Sequence, residues 1–304
     1  MPGAGAEDVL VGIAGPDEGA VFTGTEDGTI HRLSPDGRTV ETVADTGGRP
    51  LGLEHMPDGR LLVCDARRGM LAVDPRTGAI DTLATHVEGL PMLFCNNAAV
   101  AGDGTIYVSD SSTVYGIEHW KADFVEVTAT GRLLRYTPDG DLEVLHDGLA
   151  FANGVALASD ESFVVVAETS RRTLVRHWLT GPAAGTDDLL VADLPGYPDN
   201  IARGSDGLIW VSIASPRDPV VETLQHAPMW VRRRATRIPE RLQPAPKRTV
   251  RVQAYDDSGG LVHDVDLAGD VVGGRYHLVT GVREHDGRVW LGSLHEPAVA
   301  VLTL

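Results

Sequence analysis

Residues 103–111 read DGTIYVSDS, and this run decides the fold. An Asp-Gly pair marks a tight turn, and the β-branched and aromatic residues after it form a short strand. The phrase returns as DEGAVFTGT at 17–25, DGRLLVCDA at 58–66, DESFVVVAET at 160–169, DGLIWVSIA at 206–214 and DGRVWLGSL at 286–294. The turn acids are spaced 41, 45, 57, 46 and 80 residues apart, so most copies fit one four-stranded propeller blade and the longer spacings carry insertions.

The flanking text supplies the other strands, with PLGLEHM or FANGVALA before the phrase and GMLAVDPRTG or GRLLRYTPDG after it. A small sheet cannot bury both faces alone, so the units must stack radially. The sequence therefore predicts an all-β chain, a six-bladed β-propeller with a central metal-binding tunnel and two loop or helix insertions. One domain spans 1–304, with blades at about 7–47, 48–90, 91–148, 149–196, 197–270 and 271–304. The insertions are expected at 111–131 and 216–247. A two-layer sandwich would leave the repeated hairpin phrase unexplained.

The charge balance narrows the partners. The 304 residues hold 43 Asp and Glu against 26 Lys and Arg, a formal charge of −17 that repels nucleic acid and anionic membranes and attracts cations. The opening MPGAGAEDVLVG lacks a basic region followed by an apolar core, and no apolar run reaches 18 residues. Cytoplasmic location, a small-molecule substrate and a monomer or homodimer are the resulting expectations. Cys64 and Cys95 read as two free thiols, with pairing between them as the alternative.

Because the blades repeat, equivalent positions can be compared. Seven residues before the turn acid, at the start of the innermost strand, stand Asn96, Asn153 and Asp199, while blades two and six carry Leu51 and Val279. Blade one has a longer turn and begins with Glu7 and Asp8; Asn97 and Asn200 follow two of the ring positions. A set of carboxylate and amide oxygens without Cys or His suits a hard cation, calcium first and another divalent ion second.

The runs CNNAAVAGDGTIYVSDSS, LAFANGVALASDESFVVVAET, LPGYPDNIARGSDGLIWVS and REHDGRVWLGSL together resemble the strictosidine synthase-like proteins, a branch of the calcium-dependent propeller superfamily that includes paraoxonases and gluconolactonases. The resemblance runs from Glu7 to the last strand. It implies a calcium held by Glu7, Asn96, Asn153, Asp199 and Asn200, with Asp199 as candidate nucleophile or general base. One departure matters: four residues before the acid of the EHDG turn, where plant strictosidine synthases carry a catalytic glutamate, this chain has Thr280. Threonine cannot act as a carboxylate base.

The expected function is calcium-dependent hydrolysis of a lactone or related ester, with Asp199, then Glu7, as the carboxylate that activates water. The alternatives are a lyase or cyclase of secondary metabolism and a non-catalytic, calcium-stabilised binding propeller. His119, Trp120, Met229, Trp230, Thr280 and His295 are the candidate pocket residues. His285 reads as a turn residue remote from the metal. Arg232, Arg233, Arg234, Arg237 and Arg241 beside Met229 and Trp230 form the strongest positive cluster of the chain.

Overall fold

The computed structural model describes residues 1–239, 248–267 and 276–304. Five four-stranded antiparallel sheets and one three-stranded sheet follow one another in chain order, making a six-bladed β-propeller. The innermost strands are Leu10–Val11, Pro50–His55, Cys95–Val100, Ala152–Leu157, Gly196–Arg203 and Val279–His285. Each pairs with the strand that follows the repeated turn. That second strand is buried along its whole length at Leu61–Asp65, Ile106–Asp110 and Phe163–Glu168.

The repeat phrase is local chemistry made visible. Asp58, Asp103, Asp160 and Asp206 each accept, through Oδ1, the backbone N–H two residues on, closing the turn between the first two strands. Gly59, Gly104 and Gly207 then take left-handed φ of 85°, 89° and 77°, which a β-carbon would strain. Blade six departs: His285 pairs directly with Arg288, so only Asp286 and Gly287, both at positive φ, form its loop. That tighter hairpin shifts the strand by one residue. Val279 is buried in the core, and Thr280 takes the position expected for it.

Six apolar clusters lie between neighbouring blades, and the last, around Val9, Val11, Val21 and Leu33 with Trp290 against them, closes the ring between blades six and one. The N-terminal segment does not add a fourth strand to blade six. It ties to that blade's loops instead, through Ser293 N–H to Ala6 O at 2.6 Å and the Met1 amine to Pro297 O at 2.8 Å. Cys64 and Cys95 are free and buried between blades two and three.

Both insertions fold as short helices: α1 (Trp120–Glu126) in blade three, and α2 (Pro219–His226) and α3 (Met229–Ala235) in blade five. The Asp218 carboxylate caps α2 by accepting from Val220 and Val221 N–H. Residues 240–247, the end of the second insertion, lie outside the described residues.

Candidate functional site

The inner strands are bulged at one level. Pairing with the second strand breaks between Pro50 and Leu53, Cys95 and Ala98, Ala152 and Val155, Pro198 and Ile201, and Val279 and Val282. Each break brackets two residues: Leu51-Gly52, Asn96-Asn97, Asn153-Gly154, Asp199-Asn200 and Thr280-Gly281. Glu7-Asp8 holds the corresponding place before the first strand of blade one. A bulge re-aims side chains, and these pairs split in role. Glu7, Leu51, Asn96, Asn153, Asp199 and Thr280, the first members, all line a cavity of about 350 Å³.

The second members interlock the blades. A β-carbon on Gly52, Gly154 or Gly281 would stand 2.6, 2.6 and 2.8 Å from the Cα of Asn97, Asn200 and Asp8 respectively, so each glycine makes room for the next blade's polar residue. Asp8 Oδ2 then accepts Leu53 N–H at 3.0 Å and Asn97 Oδ1 accepts Val155 N–H at 2.9 Å, each reaching forward to the following blade. Hydroxyls on the second strands lie at the same residues: Thr23 and Ser109 donate to the carbonyls of Asp8 and Asn97, and Ser212 Oγ stands between the carbonyls of Asn200 and, in the next blade, Thr280. At the far ends of the inner strands lies a second cavity, lined by residues such as His55, Arg203 and His285, which shares no lining residue with the first. Asp8, Asn97 and Asn200 are buried in the stretch between the two.

At the ring, oxygens lack partners. Glu7 Oε2, Asn96 Oδ1, Asn153 Oδ1 and Asn200 Oδ1 are buried without a hydrogen bond. The amide orientation of Asn96 is fixed, because Ser111 donates to Ala152 O and so must accept from Asn96 Nδ2 at 2.9 Å. Asn153 Nδ2 donates to Thr169 Oγ1 at 3.1 Å, and Asn200 Nδ2 to Glu7 Oε1 at 3.2 Å. By contrast, the buried acids at the second-strand ends of blades three and four are fully engaged. Asp110 accepts from Phe94 N–H and Arg132, and Glu168 from Ala150 N–H, Arg171 and Thr173.

The two ring carboxylates are held against their ordinary ionisation. Burial pushes Glu7 well above the usual carboxylate range, with Asp199 and Asp8 adding to it while Arg49 and the Asn200 amide oppose. Asp199 is only half-buried, facing the cavity; desolvation nevertheless pushes it up to about 7, Asn153 opposing and Asp8 adding. Repelling carboxylates and unpaired amide oxygens form a donor set that a hard cation would satisfy, so the residues fit calcium. Among the described residues no cluster of three or more His, Cys, Asp or Glu groups is placed to hold a metal. The ring's donors are two carboxylates, Glu7 and Asp199, and the amides of Asn96, Asn153 and Asn200.

Above the ring the walls turn apolar. Phe94 and Phe151 meet edge to face at 5.5 Å, and Phe124 of α1 sets its ring on Tyr197 at 4.8 Å. The helices of the two insertions form a lid across blades three and five. Gln225 Nε2 donates to Phe124 O at 2.9 Å and Arg232 to Glu126 O at 2.7 Å. Tyr115 and Arg233 both reach the buried Glu126 carboxylate.

Of the residues expected from the sequence, Glu7, Asn96, Asn153, Asp199, Thr280 and Trp120 come together around the cavity. Asn200 sits one step below the ring. His119, Met229, Trp230 and His295 are not among the lining residues. Met229 and Trp230 are 40% and 69% exposed, because the following arginines turn inward to bind α1 and leave the start of α3 facing solvent. His295 packs on His277 at the surface. The aromatic wall was missed, although it carries a sequence signal. Phe94, Phe151 and Tyr197 each stand two residues before a ring residue in the sequence.

These features define a class, the six-bladed propellers with a ring of carboxylate and amide oxygens at one end of the inner strands. A strictosidine synthase family model matches residues 96–182. The human adipocyte plasma membrane-associated protein is 34% identical over 311 residues, covering 93% of this chain and 73% of that protein. Protein STRICTOSIDINE SYNTHASE-LIKE 13 of Arabidopsis thaliana is 42% identical over 194 residues, 63% of this chain, and the match spans 48% of the plant protein. The chain belongs to the strictosidine synthase-like family. Similar solved structures are a gluconolactonase from Xanthomonas campestris (TM-score 0.70, 17% identity, 99% of this chain and 86% of that one) and a calcium-binding regucalcin from Agrobacterium tumefaciens (0.65, 15%, 98% and 84%). No described helix is long and apolar enough to cross a membrane.

Proposed function

We propose that the protein is a calcium-dependent hydrolase of a lactone or related ester. The observation that carries this reading is the set of unpartnered oxygens on Glu7, Asn96, Asn153 and Asn200 beside the Asp199 carboxylate. Glu7, Asn96, Asn153 and Asp199 would hold the cation, with Asn200 steadying Glu7 and offering its Oδ1. When bound, calcium supplies a Lewis acid for the substrate carbonyl.

The remaining chemistry falls to the chain. Asp199 faces the cavity, and its carboxylate would accept the proton of the attacking water and return it to the leaving oxygen. The Ser111 and Thr169 hydroxyls hold the amides of Asn96 and Asn153 with their oxygens turned away from these partners. The lid helices exclude bulk water. Thr280 works against the amine–aldehyde condensation of the plant synthases, because its hydroxyl already donates to Glu7 O at 2.8 Å and it offers no carboxylate.

The test is a panel of γ- and δ-lactones and aryl esters assayed with calcium and with chelator. Turnover that chelation abolishes and calcium restores is expected, together with a chelator-induced fall in melting temperature. Turnover indifferent to chelator, or condensation of an amine with an aldehyde, would sink the reading.

A further inference from the structure

The ring is incomplete in one place, and the gap is continuous with the apolar wall. Five blades offer an oxygen at the level of the ring, from Glu7, Asn96, Asn153, Asp199 and Thr280; blade two offers Leu51. Leu51 is buried in a cluster with Ala66, Phe94 and Phe151, and Ile117, Trp120 and Phe124 pack against that cluster from the blade-three insertion. An unbroken apolar surface therefore climbs from the ring to the lid on the side of blades two to four.

We infer that the cavity takes a substrate with an apolar substituent next to its carbonyl, and that Leu51 is the residue that sets this preference. The inference rests on the hydrolase reading of the same cavity and narrows it. A carbonyl at the ring oxygens places its neighbouring atoms against Leu51, Phe94 and Phe151. Hydroxyls on those atoms would be stripped of water with no partner in reach, whereas methylenes gain contact. The volume of about 350 Å³ lies at the small end of ligand cavities, so the substituent is a short chain or one ring. A polyhydroxylated sugar lactone fits this wall poorly.

The experiment compares kcat/KM for a γ-lactone bearing a hexyl chain with that for glucono-δ-lactone, in the wild type, Leu51→Asn and the conservative Leu51→Met. The wild type is expected to favour the alkyl lactone by 10-fold or more, since one methylene-sized contact is worth roughly 10- to 200-fold. Leu51→Asn should narrow that ratio at least 10-fold, while Leu51→Met keeps it. Preference for the sugar lactone in the wild type, or an unchanged ratio in folded Leu51→Asn, overturns the inference. Should Leu51→Asn not fold, Ile117→Asn replaces it: Ile117 lines the cavity, packs against the Leu51 cluster from the blade-three insertion and is only partly buried, and the change should lower alkyl-lactone kcat/KM several-fold. An unchanged value there would likewise count against the apolar wall.

Calorimetry with the unreactive lactams separates the two readings. Binding of the alkyl lactam and not the hydroxylated one, in a protein that hydrolyses neither lactone, upholds the apolar pocket and removes the hydrolase. Tighter binding of the hydroxylated lactam overturns the inference whatever the turnover.

Discussion

Odd and even blades solve the same problem in opposite ways. Blades one, three and five place two polar residues at the bulge, Glu7-Asp8, Asn96-Asn97 and Asp199-Asn200; blades two, four and six place a glycine second, in Leu51-Gly52, Asn153-Gly154 and Thr280-Gly281. Each even glycine lets the backbone at the following odd blade's second bulge residue approach closely, and in blades one and three that residue's side chain takes an N–H from the next even blade. The second strands alternate in step, with Thr23, Ser109 and Ser212 on odd blades against Cys64, Ala167 and Gly292 on even ones. The ring of oxygens is thus mounted on a three-fold interlock, and both ring carboxylates sit on odd blades.

The largest expected effect comes from the odd-blade acid. Asp199→Asn should lower kcat by about 100-fold or more while calcium, measured by elemental analysis, stays bound. Asn153→Ala, which removes an even-blade donor, should lose calcium and activity together. Equal calcium content in the two variants would erase the distinction between base and ligand. Next in size, Gly154→Ala would drive a β-carbon to 2.0 Å from Ile201 N and 2.5 Å from Asn200 C, both backbone atoms that cannot swing aside. A loss of about 3 kcal/mol or more in urea unfolding is expected, and a near-neutral result would break the interlock.

Asn97→Ala is milder. It leaves the buried Val155 N–H unpaired, for about 1–3 kcal/mol. Ser109→Ala should cost a similar amount, because Ser109 Oγ is the acceptor of the buried Asn97 N–H at 3.1 Å. A near-neutral Asn97→Ala would mean that the hydroxyls, not the amides, carry the contact. The smallest effect is on pH dependence. Without calcium, folded Asp199 keeps its proton up to about pH 7, while the unfolded chain releases it near 3.8. Across that window the folded state binds more protons, so stability of the metal-free protein should rise as pH falls from 7.5 to 5. Saturating calcium should flatten that slope or reverse it, since the ion binds the deprotonated form; identical slopes with and without calcium would argue against Asp199 as a ligand.

The ring was legible because in blades two to five the turn acid stands three residues after the last paired residue of the inner strand, so a fixed count back from it lands on Leu51, Asn96, Asn153 and Asp199. It failed by one residue in blade six, where the two-residue Asp286-Gly287 loop shortens the count and puts Thr280, not Val279, at the cavity. The lid was legible only as two insertions. Their meeting depends on Glu126, Arg232 and Gln225 finding partners about 100 residues away, which no local pattern encodes. Trp230 beside its arginines looked like a pocket residue for that reason; the arginines hold α1, and the tryptophan is left outside.

The glycine-against-amide contact also constrains the number of blades. Each even glycine sits against the backbone of the odd blade after it, and in blades one and three the odd side chain reaches the even blade after it, so the alternation is preserved only when blades are added or lost in pairs. A five- or seven-bladed ring built on this pattern would have to set two blades of the same kind side by side. The two-blade pair, repeated three times, is the unit in which this architecture can be counted, duplicated or redesigned.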